Sequence, residues 1–124
     1  MDYSTFGRHV TMDVWGIPFQ KLNDCKLLEQ YLVQSARKCG ATVLASRIHQ
    51  FEPQGATVFV LLSESHLSIH TYPEKGYAAI DCYTCGRTVD PTKAVQYLIE
   101  KLKPTRYSGK LLLRGMDKIE VENW

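Results

Sequence analysis

The stretch from Thr57 to Thr84 constrains the fold more than any other part of the chain. Thr57 to Leu62 reads as a continuous apolar run, the pattern of a strand covered on both faces. After Ser63-Glu64 the pattern becomes alternation. His66, Ser68, His70 and Tyr72 point one way, and Leu67, Ile69 and Thr71 the other. Pro73-Glu74-Lys75-Gly76 turns the chain. Tyr77 to Thr84 is a further strand, with Tyr77, Ala79, Asp81 and Tyr83 on one face. Links this short join only antiparallel neighbours.

The flanks supply further elements. His9 to Trp15 favours a strand, and Ala41 to Phe51 looks extended before the turn residues Pro53-Gln54-Gly55. Asn23 or Asp24 caps a helix from Cys25 to Cys39, with Leu27, Leu28, Tyr31, Leu32 and Ala36 at helical spacing and Gly40 as its stop. Asp90-Pro91 starts a second helix that runs to Lys103 and ends at Pro104. Its stripe is Ala94, Val95, Leu98, Ile99 and Leu102. Lys110 to Leu113 is read as a last strand, broken by Gly115. Two helices on one face of a mainly antiparallel sheet make a two-layer α+β sandwich. The other sheet face carries the row His66, Ser68, His70 and must meet water, a ligand or a second subunit. A second copy there would put the polar row at a subunit boundary.

With 124 residues the chain fits one domain, residues 1–124. Fifteen basic against thirteen acidic residues leave a formal charge of +2, and no basic run appears, so nucleic acid is not indicated as a partner. No apolar stretch is long enough to span a bilayer. The segment Met1 to His9 lacks the basic-then-apolar shape of a signal peptide, so a cytoplasmic, membrane-free protein is expected. Four cysteines, at 25, 39, 82 and 85, are too sparse for a disulfide scaffold. Cys82 and Cys85 form a C-x-x-C, but no second pair completes a tetrahedral metal site, and residues three apart on a strand face opposite ways. No metal is expected.

The chemistry concentrates at Ser63-Glu64-Ser65-His66-Leu67-Ser68-Ile69-His70. A hydroxyl follows directly on a Glu carbonyl, with two imidazoles downstream. The Ser65 hydroxyl is positioned by covalent connectivity to attack the Glu64 carbonyl, converting an amide into an ester and opening a route to self-cleavage. A core histidine satisfied by the backbone is the bland alternative for His70. A row of polar side chains on one face argues against it, because such a row is costly to bury without partners.

The segment from Ser63 to Gly86, with Gly7-Arg8-His9, Phe51-x-Pro-x-Gly55 and Asp90-Pro91, resembles the bacterial S-adenosylmethionine decarboxylase proenzymes. The resemblance implies cleavage between Glu64 and Ser65. The products would be a β chain, residues 1–64, and an α chain, residues 65–124, with Ser65 converted to a pyruvoyl group. It implies that this ketone forms a Schiff base with the substrate amine and takes up electrons as CO2 leaves. By the same resemblance His70 removes the Ser65 α-proton during elimination, a task suited to an imidazole at cellular pH. Cys85 protonates the decarboxylated α-carbon, as a thiol that keeps its proton can. Thr57 stands where many relatives have serine and retains the hydroxyl that helps hold the processing oxyanion. Phe51 and Tyr72 match aromatics that sandwich adenine, and Glu74 matches a carboxylate for ribose hydroxyls or a cationic group. A homodimer of αβ units is implied as well.

The bland readings are a buried structural thiol for Cys85, a strand β-branched residue for Thr57 and a solvated turn residue for Glu74. Two other functions stay open on the residues alone: the same pyruvoyl chemistry on arginine or ornithine, and a non-processing homologue that binds or regulates. A pyridoxal-phosphate enzyme is disfavoured, because no lysine lies in the cluster.

Overall fold

In a computed structural model, residues 5–124 are described. Met1 to Ser4, the start of the segment read for a signal peptide, lie outside them. Seven strands form one antiparallel sheet: β1 (Gly7–Trp15), β2 (Val43–Gln50), β3 (Ala56–Leu62), β4 (Ser65–Tyr72), β5 (Tyr77–Cys85), β6 (Arg106–Arg114) and β7 (Glu120–Asn123). Their spatial order is β2-β3-β4-β5-β1-β6-β7, so β4 is flanked on both sides. The helices are α1 (Phe19–Leu22), α2 (Cys25–Lys38) and α3 (Pro91–Leu102). Among the described residues no helix is long and apolar enough to cross a membrane.

Both long helices start where the sequence caps them. The Asp24 carboxylate accepts from the Leu27 N–H at 3.1 Å, and the Asp90 carboxylate from the Thr92 N–H at 3.0 Å with Pro91 in the first turn. Each lays its apolar stripe on the sheet: Leu28, Leu32 and Ala36 from α2, Ala94, Val95, Leu98 and Leu102 from α3. They meet Val10 and Val14 of β1, Val58 and Val60 of β3, Leu67 and Ile69 of β4, and Ile80 and Cys82 of β5, all essentially solvent-free. Burying an aliphatic side chain of this size is worth about 1.5–3 kcal/mol. This layer therefore fixes which face of each strand is core.

The α+β class with helices on one face is as expected, and three details differ. The apolar run of β3 is covered on one face only: Ala56, Val58, Val60 and Leu62 are buried, while Phe59 and Leu61 stay 39% and 43% exposed. A continuous apolar run does not distinguish a second layer within the chain from one supplied by another copy. The last strand starts four residues earlier than Lys110, because Arg106 to Gly109 pair with β1 from Trp15 to Met12. β7, whose residues are all exposed, then adds to β6.

Candidate active site

Glu64-Ser65 sits at the exit of a two-residue hairpin. Leu62 pairs with Ser65 across it, and Ser63 and Glu64 form the turn. Such turns prefer positive φ at their central residues. Here the positive φ, 144°, falls on Ser65 instead, and backbone strain is concentrated on the residue that follows the Glu64-Ser65 peptide bond. The turn is held at two points. Thr42 accepts from the Ser63 N–H at 3.0 Å and donates its own N–H to the Glu64 carboxylate at 3.0 Å. That second bond holds the Glu64 carboxyl below its ordinary pKa. The Glu64 carbonyl oxygen accepts from the Cys85 N–H at 2.8 Å. This donor polarises the carbon that Ser65 would attack, and it is aimed where negative charge develops in a tetrahedral intermediate.

The antiparallel register of β4 and β5 explains this meeting, since it sets Ser65 opposite Thr84. The C-x-x-C divides as parity requires: Cys82 is fully buried and burial pushes its thiol pKa up, while Cys85 is exposed. A reactive group generated at residue 65 would head a strand clamped on both sides, beside an accessible thiol. The residues present therefore fit the pyruvoyl group that the resemblance implies.

Thr57, His70, Phe51, Tyr72 and Glu74 gather elsewhere. The β3–β4 register pairs Thr57 with His70, and Thr57 Oγ1 lies 2.9 Å from His70 Nδ1. That contact orients the ring and leaves Nε2 as its free edge. Together with Phe51, Tyr72 and Glu74 these residues line a cavity of about 370 Å³, a volume within the usual range for small-molecule sites. Phe51 leans on His49 and Tyr72 on Tyr77, and both Phe51 and Tyr72 remain about half exposed. This cluster does not meet Ser65 within one copy. His70 is five residues further along β4, roughly 17 Å away.

Sequence reasoning gave no role to a third group on the same open face. His9 Nε2 is 2.8 Å from the Asp81 carboxylate, and Arg114 is 3.3 Å from His9 Nδ1. The hydrogen bond from His9 holds the Asp81 carboxyl below its ordinary pKa. Tyr83 lies against His9 and His66, with Arg114 over its ring. The shared face of Asp81 and Tyr83 was legible from alternation. That β1 lies beside β5 and brings His9 to them was not.

A profile of the S-adenosylmethionine decarboxylase family matches residues 8–115. The chain belongs to this family. It is 59% identical to the S-adenosylmethionine decarboxylase proenzyme of Brevibacillus brevis, over 98% of this chain and 91% of that one. It is 53% identical to the proenzyme of Symbiobacterium thermophilum, over 97% and 91%. The crystal structure of the adenosylmethionine decarboxylase from Aquifex aeolicus superposes with a TM-score of 0.85 at 36% identity, covering 93% of this chain and 95% of that one. The Trypanosoma brucei enzyme shares the fold, with a TM-score of 0.63 at 13% identity over 85% of this chain and 45% of that one. The S-adenosylmethionine decarboxylase family thus spans both the Glu64-Ser65 hairpin and the cavity around His70.

Proposed function

We propose that the protein is a self-processing decarboxylase of S-adenosylmethionine, cut between Glu64 and Ser65, that supplies the aminopropyl donor for spermidine synthesis. One observation carries the reading beyond family membership: the Glu64 carbonyl is held by the Cys85 N–H at 2.8 Å while the next residue, the nucleophile, has a φ of 144°. Polarisation of the carbonyl and strain at the attacking residue both favour conversion of the amide to the ester. His70, oriented through Thr57, removes the Ser65 α-proton so that elimination can follow. The chain becomes residues 1–64 and 65–124.

The ketone left at residue 65 supplies an electrophile for the substrate amine and a sink for electrons as CO2 departs. Phe51 and Tyr72 hold the adenine by stacking, and Glu74 accepts hydrogen bonds from the ribose. Cys85 Sγ donates the proton that the substrate α-carbon takes up.

The roughly 17 Å between Ser65 and His70 bears on assembly. Ser65 and Cys85 stand at one end of β4, and Thr57, His70 and the cavity at the other. A two-fold pairing of the open faces lays one copy's Ser65 end over the other's His70 end, making two complete sites from two incomplete ones. Half-exposed Phe59 and Leu61 on that face support the same pairing. The test is intact mass on freshly folded wild-type protein, then CO2 release from S-adenosylmethionine, arginine and ornithine. Two pieces and turnover of S-adenosylmethionine are expected. A single full-length chain, or turnover of arginine or ornithine instead, would overturn the reading.

A further inference from the structure

Ser65 has an imidazole beside it that is not His70. Its Oγ lies 3.4 Å from Nδ1 of His66, longer than a formed hydrogen bond and within reach of a side-chain rotation; such contacts are often loose before reaction. The His66 ring is locked by its surroundings. Phe59 stacks on it with centroids 5.4 Å apart and planes 22° from parallel, His9 meets it edge-on at 6.4 Å, and Tyr83 tilts against it at 6.2 Å. Packing for its own sake would accept a phenyl ring here. A nitrogen aimed at the one hydroxyl that must lose a proton serves a further purpose.

We propose that His66 is the general base of chain cleavage: its Nδ1 takes the proton of Ser65 Oγ as that oxygen attacks the Glu64 carbonyl carbon, and returns it to the Ser65 nitrogen as the C–N bond breaks. One C–O bond forms, one C–N bond is lost, and the proton moves from oxygen to nitrogen with no co-reactant. The inference rests on the self-cleavage proposed above. It divides the work between two histidines: His66 serves the attack, and His70 serves the later loss of the α-proton. The surroundings keep His66 neutral and ready to accept. Desolvation first, then the neighbouring His9 ring and the Arg114 guanidinium, lower its pKa against the opposing pull of Asp81.

Cleavage is followed by gel and mass after a pulse of cell-free synthesis, for wild type, His66→Ala, His66→Asn and His66→Phe. Wild-type cleavage should slow as pH falls through the His66 pKa, below the ordinary value near ~6.5. The other titratable and charged groups facing the ring, His9, Asp81, Tyr83 and Arg114, are kept unchanged. The variants should cleave at least about 100-fold more slowly, and added imidazole should restore part of the rate to His66→Ala. Uncut variant should also resist hydroxylamine, which splits an ester but not an amide. His66→Phe, which keeps the ring packing, decides the matter where His66→Ala unfolds. Cleavage of His66→Phe or folded His66→Ala within threefold of wild type overturns the proposal. So does a stalled variant that hydroxylamine cuts, since its ester has formed without His66. Wild type that never cuts overturns the self-processing reading itself, a result separate from either of these.

Discussion

Among the described non-glycine residues, Ser65 and Lys103 alone have positive φ, and they differ in kind. Lys103, at 52°, is in the left-handed region that commonly ends a helix, and its N–H closes α3 onto the Ile99 carbonyl. Ser65, at 144°, occupies a region that side chains rarely enter, at a cost on the order of 1–3 kcal/mol. Two variants that lack the proposed nucleophile measure that cost without the complication of the proposed cleavage. In an ordinary strand glycine is the less stable by about 0.5–1 kcal/mol relative to alanine. Here the order should reverse, with Ser65→Gly more stable than Ser65→Ala by about 1 kcal/mol in urea unfolding. Alanine proving the more stable would remove strain as a contributor to cleavage.

The elements that sequence reveals are those whose two faces meet different surroundings. β4 and β5 announced themselves by alternation, because Leu67, Ile69, Ile80 and Cys82 enter the core while His66, His70, Asp81 and Tyr83 do not. β3 misled for the opposite reason: Phe59 and Leu61 are as apolar as Val58 and Val60, yet only the latter pair is buried. The start of β6 was illegible because Arg106-Tyr107-Ser108-Gly109 has no pattern of its own and is a strand by virtue of pairing with β1. The mismatch in β3 gives a test at this scale. Leu61 is 43% exposed in one copy, so Leu61→Lys should leave the fold within about 0.5 kcal/mol of wild type. In the proposed pairing of open faces it buries a charge. Sedimentation should then show a single αβ unit, or an uncut monomer, where wild type should sediment as a pair. A variant that stays paired would place the subunit contact elsewhere.

Which residues can act together is decided only by the whole molecule. The identities of Ser65, His70 and Cys85 were available from the chain, and so was the likeness of their surroundings to a known family. Their distances were not. Register across β4 and β5 brings the Cys85 N–H to Glu64, and register across β3 and β4 brings Thr57 to His70. The length of β4 keeps the two groups apart at roughly 17 Å. No rotamer change spans that gap. Within one copy His70 has no path to the Ser65 α-proton, and the proposed site therefore borrows from a second copy. Borrowing has a consequence that no single variant shows. Ser65→Ala and His70→Ala chains should each remain uncut when made alone. Made together in equal amounts with distinguishable tags, half of the pairs are mixed under random association. Each mixed pair holds one complete site: the serine of the His70→Ala chain beneath the histidine of the Ser65→Ala chain. About half of the His70→Ala chains should therefore be cut, and none of the Ser65→Ala chains. If the histidine served its own chain, co-synthesis would cut neither, and denaturing electrophoresis separates these outcomes directly.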